Sequence, residues 1–288
     1  MIHPEVEVAR SSVLSADAPS APKYVAIVGE EPTSSAPSLT LAKALNRLGV
    51  DVRFAPANDL QRPEWIKLLR SAQAVLLVSY GELNGYLVSQ LATAVAMNVP
   101  IVRWWVGTDV LNAISRSEIR QNATRIDDIV AENVAVAPHL VEELATIGIR
   151  ARYVPSVIET DLADVRVAEW TGVVKPVLVY LPGRRKEFYG LGEIETVIAA
   201  NPDLEFLVVA DETHALSGYS NVQSLGWVSD MRRLYHHAGC VLRITKHDWL
   251  PRMLIEAMLR GLYAIYSWPL PGTWEAHTSD DIHSALAR

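Results

Sequence analysis

The chain has 288 residues, half of them hydrophobic and 20% charged, which is globular composition with enough apolar material for two cores of ordinary size. A net charge of -7, with no Lys/Arg block long enough to track a phosphate backbone, argues against nucleic acid as a partner. The single cysteine excludes an intrachain disulfide framework and favours a reducing compartment, and no apolar run approaches the ~20 residues that a bilayer span needs.

The first 22 residues, "MIHPEVEVARSSVLSADAPSAP", carry early acids and no continuous hydrophobic stretch. They read as a flexible tail, not a signal peptide. A cytoplasmic location follows, with attachment to a membrane surface left open. From Lys23 short apolar strands alternate with amphipathic helices. "YVAIVG" precedes the helical "SLTLAKALNRLG", where Leu41, Leu45 and Leu48 recur at helical spacing and Gly49 closes the element. Then come the strand "VDVRFAP", the helix "PEWIKLLRSA", the strand "AVLLVSYG", the helix "GYLVSQLATAVAMN" and the strand "PIVRWWVG". A helix over Ser117 to Ile129, the strand "NVAVAP", the helix "HLVEELATIG" and a short strand near "RYVP" complete a first unit, residues 23–158.

The pattern falters over residues 159–174, which read as a linker, and restarts in a second unit, 175–288. Its elements are the strand "PVLVYLPG", a helix near Leu191 to Ala200, the strands "LEFLVVAD" and "NVQSLG", the helix "DMRRLYHHAG", the strand "CVLRI", the helix "PRMLIEAMLRG" and the strand "YAIYS". Cys240 opens the apolar "CVLRI" and reads as a buried thiol. Strands apolar on both faces and interleaved with helices imply two α/β domains with parallel, Rossmann-like sheets covered on both sides. In such sheets ligands bind beyond the carboxyl ends of the strands, so the chemistry belongs in those loops. There is no G-x-G-x-x-G after either first strand and no G-x-x-x-x-G-K-[ST], which disfavours a dehydrogenase or a P-loop NTPase.

Two acids eight positions apart, Asp248 and Glu256, flank a Trp-Leu-Pro turn. Pro251 suits the first position of a helix and Gly261 the residue past its end, so Asp248 lies in the loop above "CVLRI" and Glu256 in the second helical turn. An anionic diphosphate before the helix, with the acids accepting bonds from sugar hydroxyls, fits that placement. The structural reading is an exposed ion-pair stripe of Arg252, Glu256 and Arg260, worth a few tenths of a kcal/mol, with Asp248 capping its own turn. Spacing alone favours this second reading.

The surroundings favour the first. The segment resembles the nucleotide-binding domain of GT-B glycosyltransferases, in particular the large retaining class related to sucrose and glycogen synthases. The resemblance rests on Asn221, Val222 and Gly226, on Asp230, Met231 and Tyr235, and on Asp248 with Glu256, Ala257 and Met258. It implies that Glu256 holds the ribose of a nucleotide sugar, that Asp248 takes the place of a Glu touching the donor sugar, and that Trp249, Leu250 and Pro251 line the loop meeting sugar and diphosphate. Gly226, Trp227 and Val228 match the turn that touches the base, and His247 is either part of the donor loop or mere surface polarity. In "PGRRKEFYG", Arg184 follows Gly183 as the family's phosphate-binding Arg does. Tyr189 stands where Lys is usual, so Arg185 or Lys186 takes over that work.

The first unit resembles the family more loosely. The usual glycine pair after its first strand is replaced by "GEEPTSSAPS", and the helix that crosses back onto the first domain is expected to be missing or shortened. Gly107, Thr108 and Asp109 sit at a strand end facing the cleft; Asp109 either orients an acceptor hydroxyl or caps the next turn. Trp104 and Trp105 read as packing residues, and His139 as a helix cap. The resemblance implies a retaining, metal-independent hexosyltransferase that needs no cofactor beyond a UDP- or GDP-linked sugar, with Asp248, Asp109 and Arg184 as catalytic candidates. The acceptor, whether glycan, lipid-linked or small molecule, is not named by the sequence. The alternative is a non-catalytic nucleotide- or sugar-binding subunit supporting a partner transferase, and an oligomer fits either reading. A glycan phosphorylase would need a pyridoxal-phosphate lysine, and none is identified.

Overall fold

The structure, a computed structural model, describes residues 23–29, 37–56, 62–78, 85–156, 165, 167 and 175–287. The N-terminal tail, residues 30–36 of the "GEEPTSSAPS" stretch, the end of the "AVLLVSYG" strand and nearly all of the linker lie outside the described residues. The first sheet contains β1 (Tyr24–Gly29), β2 (Val52–Pro56), β3 (Ala72–Val78), β4 (Ile101–Trp105), β5 (Glu132–Ala135) and β6 (Arg152–Tyr153). Its helices are α1 (Pro37–Arg47), α2 (Arg62–Leu69), α3 (Gly85–Ala96), α4 (Thr108–Ser115), α5 (Ser117–Asp127) and α6 (Pro138–Thr146). The second sheet contains β7 (Val177–Tyr180), β8 (Phe206–Val209), β9 (Val222–Gly226), β10 (Cys240–Arg243), β11 (Tyr263–Tyr266) and β12 (Trp274–Glu275). With it go α7 (Leu191–Ala200), α8 (Arg232–His237), α9 (Arg252–Met258) and α10 (Ser279–Leu286).

Every strand pairing is parallel, in the orders β2-β1-β3-β4-β5-β6 and β12-β11-β10-β7-β8-β9. Successive side chains of a strand point to opposite faces, so each covered sheet feeds two cores. In the second sheet Val177 and Val179 join Ile194 of α7 and Ile282 of α10, while the intervening Leu178 joins Tyr235 of α8 and Leu254 of α9. In the first sheet Val28, Leu77 and Trp105 pack with Trp65, Leu91 and Leu140, and Ile27 turns to Leu41 of α1 on the other side.

Three elements escape the sequence reading. Helix α4 is only eight residues long and its first two residues, Thr108 and Asp109, belong to a Gly-Thr-Asp stretch that reads as a turn. Strand β12 is two residues. Helix α10 is announced by a capping box in which the Thr278 hydroxyl accepts from the Asp281 amide (3.2 Å) and the Asp281 carboxylate accepts from the Thr278 amide (2.9 Å). It packs on α7, where the Asn201 amide nitrogen meets His283 Nδ1 at 3.2 Å, and so belongs to the second domain. Among the described residues no helix is long and apolar enough to cross a membrane.

The second sheet reverses its strand order between β7 and β10, and an open parallel sheet leaves its crevice at such a point. The β7 side of this crevice depends on Gly190, whose φ is +70° and where a Cβ would come within 2.5 Å of Ile244 Cγ2. Gly190→Ala therefore meets both left-handed backbone strain and a clash with a buried branched side chain. It is expected to cost about 2 kcal/mol or more in urea unfolding. An unchanged midpoint would show that the loop relaxes freely.

Candidate functional site

The loops at the switch point are built from both sides. After β7 a short 3-10 turn, Gly183–Arg185, presents Arg184 and Arg185 to solvent, with Lys186 half-buried behind them. The Arg185 guanidinium stands over the Phe188 ring at 4.2 Å. After β10 the chain passes through Thr245 to Pro251 into α9. The Lys246 amide donates to the Phe188 carbonyl (3.0 Å), tying the two loops together, and a cavity of about 520 Å³ opens beside that bridge among Phe188, Lys246, Trp268 and Glu275.

Glu256 lies half-buried on α9. The Tyr235 hydroxyl donates to its Oε2 at 2.9 Å, and Arg252 Nη2 lies 3.3 Å from Oε1. Arg260 is buried, reaches the Glu256 backbone carbonyl at 2.8 Å and stacks over Tyr235 at 5.2 Å. The three residues thus do not make an exposed stripe. Burial, and next the Glu256 charge, hold the Tyr235 phenol well above its ordinary range, which keeps it a hydrogen-bond donor. At the end of β9, Gly226 adopts φ +61° and Trp227 follows with 69% of its surface exposed; Val228 packs behind.

Asp248 is placed differently from Glu256. Arg243 Nε and Nη2 reach its Oδ2 and Oδ1 at 2.6 and 3.0 Å, a bidentate pair whose side chains are 7% and 2% exposed. Both oxygens of the carboxylate are thus taken by the guanidinium at the end of β10. The flanking residues point to the first domain. His247 Nε2 meets Glu143 Oε2 of α6 at 2.9 Å, and His139 Nε2 donates to the Asp248 carbonyl at 3.0 Å. Trp249 packs against the first core beside Gly107, where a Cβ would stand 3.0 Å from the Trp249 Cβ. Leu250 and Pro251 are buried where the loop enters α9.

His139 therefore bridges domains, stacked on Trp268 with ring centroids 4.6 Å apart, and makes no cap bond to α6. That corrects the capping expectation: at the second position of a helix that starts with Pro138, its side chain projects off the helix end towards the neighbouring domain. Trp105 is fully buried with its indole N–H on Asn133 (2.9 Å), and Trp104 is half-buried.

Asp109, on the first domain, is 2% exposed. Its Oδ1 accepts the amides of Val106, Gly107 and Val110 at 3.0, 2.9 and 3.0 Å, and so holds the turn that seats Trp249; Thr108 is the exposed residue of that turn. Its other oxygen and all three guanidinium nitrogens of Arg103 have no hydrogen-bond partner among the described residues. Arg103 lies 3.4 Å over the Trp105 ring, and burial pulls its guanidinium down to about 10. Burial raises the Asp109 carboxyl, against the opposing pull of Arg103 and the three amides.

Sequence reasoning passed over Arg243 and Glu143. Arg243 was visible as a cation interrupting the apolar run "CVLRI", since a charge there is not retained without a partner. Glu143 stands four residues after His139, on the same helix face. Among the described residues no group of three or more His, Cys, Asp and Glu side chains converges as metal ligands.

A raised folded-state pKa means that the stability Asp109 contributes is present below its unfolded value and fades as pH rises towards the folded one. Asp109→Asn keeps the acceptor for the three amides and removes the titration, so it is expected to cost under about 1 kcal/mol. Asp109→Ala strands three buried N–H groups and should cost about 2–3 kcal/mol. Urea unfolding of the two variants decides; equal losses would show that charge, not the three bonds, holds the turn.

The sequence matches no family model and no curated protein. Solved structures do match in three dimensions. Anabaena Alr3699/HepE in complex with UDP superimposes with a TM-score of 0.65, at 11% identity over 92% of this chain and 89% of that one. Sucrose-phosphate synthase from Thermosynechococcus elongatus gives 0.64 at 12% identity, covering 92% and 89%. The lipopolysaccharide outer core galactosyltransferase WaaB gives 0.61 at 11%, covering 92% and 88%. At such identities the likeness concerns architecture, and in architecture the chain has the two-domain GT-B fold of these glycosyltransferases.

Proposed function

We propose that the protein transfers a sugar from a nucleotide-sugar donor, a UDP-sugar in the first instance, to an acceptor in the cleft between its domains. The observation that carries this reading is the pairing, across the β7/β10 switch point, of a basic turn with a carboxylate that keeps 17% of its side chain exposed. Arg184, Arg185 and Lys186 stand on one side and Glu256 on the other. HepE, whose fold the chain shares, has been solved with UDP and with UDP-glucose.

On this reading the two Glu256 oxygens, oriented by Tyr235 and Arg252, accept bonds from the ribose hydroxyls. The exposed Trp227 offers a stacking face to the base beside the backbone of Gly226 and Val228. Arg184, with Arg185 and Lys186, meets the negative charge that develops on the departing diphosphate. That preorganised electrostatic stabilisation does the work of catalysis without a metal. Because the Asp248 carboxylate is taken by Arg243, contact with the donor sugar passes to the loop of Trp249, Leu250 and Pro251. Asp109 acts by shaping the Gly107–Thr108 turn on the acceptor side. Transfer proceeds with retention at the anomeric carbon; an anomeric NMR assay in the presence of EDTA should show a retained product, and an inverted one would contradict the assignment.

The same Arg243–Asp248 pair, together with Tyr189 in the place of a lysine, favours a second reading, a nucleotide-binding subunit that supports a partner transferase. Turnover separates the two: the transferase releases nucleotide from its donor, and the subunit binds it without release.

Calorimetric titration of UDP, GDP and their sugars into wild type and Glu256→Ala tests the donor site. Wild type is expected to bind one base preferentially. The variant should bind about tenfold more weakly or worse, the loss of roughly 1.5–3 kcal/mol that accompanies hydrogen bonds to a charged group. Equal affinities, or none for either protein, would return Glu256 to a structural role with Tyr235 and Arg252.

A further inference from the structure

Arg243 is the last residue of a strand that is otherwise apolar, and it is 6% exposed. Such a cation must be neutralised where it sits. Its guanidinium holds both oxygens of Asp248 and lies over the rings of Tyr180 and Tyr189, at 4.4 and 5.1 Å. A strand end, a β7 side chain and the loop before α7 are thereby fastened to one carboxylate. The Tyr266 hydroxyl donates to the Trp249 carbonyl at 3.1 Å and fixes the loop from β11 as well.

Loop residues 247–249, held in this way, make the contacts to the first domain: His247 to Glu143, the Asp248 carbonyl to His139, and Trp249 against the core beside Gly107. We propose that Arg243 is a positioning residue for sugar transfer. By clamping Asp248 it fixes the loop that sets the spacing and register of the two domains, and it does so without touching the donor. This rests on the donor reading above, because the loop it fixes borders the switch point where the diphosphate is placed. The Arg243 pair is thus the reason the Asp248 position can be spared from sugar binding: its backbone carries an interdomain contact and its side chain carries the anchor.

The test compares Arg243→Met/Asp248→Leu, Arg243→Lys and Glu143→Gln with wild type. Replacing both members of the pair by apolar residues avoids a stranded charge, so the double variant should fold; circular dichroism and a cooperative melt check this. Each protein is titrated with UDP, assayed for UDP release from UDP-glucose with kcat and KM separated, and examined by small-angle X-ray scattering. The double variant is expected to bind UDP with wild-type affinity while its kcat falls about tenfold and its radius of gyration increases; a wild-type kcat would overturn its role in the reaction. Glu143→Gln, which leaves the Arg243 clamp intact and weakens one interdomain contact by making its acceptor neutral, should shift the same way by less, and Arg243→Lys should fall between wild type and the double variant.

Scattering curves for the double variant and Glu143→Gln that superimpose on wild type would overturn the role of Arg243 in domain spacing. Loss of UDP affinity with unchanged scattering would make Arg243 a donor-site residue and overturn the proposal in a different way. If the double variant does not fold, Arg243→Lys and Glu143→Gln carry the same comparison. Wild type that binds no UDP would bring down the donor reading, and with it the assignment of Arg243 to the reaction. A scattering change would then describe a structural clamp only.

Discussion

The buried pair of Arg243 and Asp248 is the constraint on which the arrangement of the cleft depends. Two charges that are 7% and 2% exposed have lost their water, and they hold together because the geometry is bidentate and tyrosine rings cover the cation. Such a pair adds little net stability over a well-packed apolar substitute, but removing one member alone costs about 3–5 kcal/mol by stranding the other. Its effect is therefore one of specification. It dictates the path of the chain from β10 into α9, and that path carries His247, the Asp248 carbonyl and Trp249 to the first domain.

The first domain receives the loop with equally fixed parts. Asp109 gathers three amides around Gly107, whose φ of +133° and missing side chain admit Trp249. Helix α6 supplies His139 and Glu143 from adjacent turns of one face. Facing these, the second sheet opens at its β7/β10 switch point, with basic groups after β7 and Glu256 on α9. A donor held on the second sheet would meet an acceptor supported by the first, at a separation that neither domain sets alone.

Most of this architecture was legible in the sequence. Apolar strand runs such as "VLVY" and "FLVV" could only be buried on both faces, and the helices between them implied parallel pairing. The position of Glu256 in a helix after Pro251 was likewise readable from the proline and the glycine that bound it. What sequence could not supply was the direction of side chains at long range. Asp248 and Glu256 look alike in spacing, yet one turns inward to Arg243 and the other stays partly exposed beside Tyr235. Likewise Asp109 and His139 sit at strand and helix ends that suit several roles, and only the packing of one domain on the other selects among them. Helix α4 was hidden for a simpler reason, because eight residues that open on Thr108 and Asp109 directly after a glycine give too short an apolar period to stand out.

Hydrogen–deuterium exchange with and without UDP reports where along the chain the nucleotide acts. A donor site at the β7/β10 switch point requires slower exchange in the backbone around Gly183–Gly190, around Gly226–Val228 and from Lys246 into α9, with the first domain affected mainly at α6. Protection confined to the first domain, or absent from all three segments at saturating UDP, would contradict a donor site at the β7/β10 switch point.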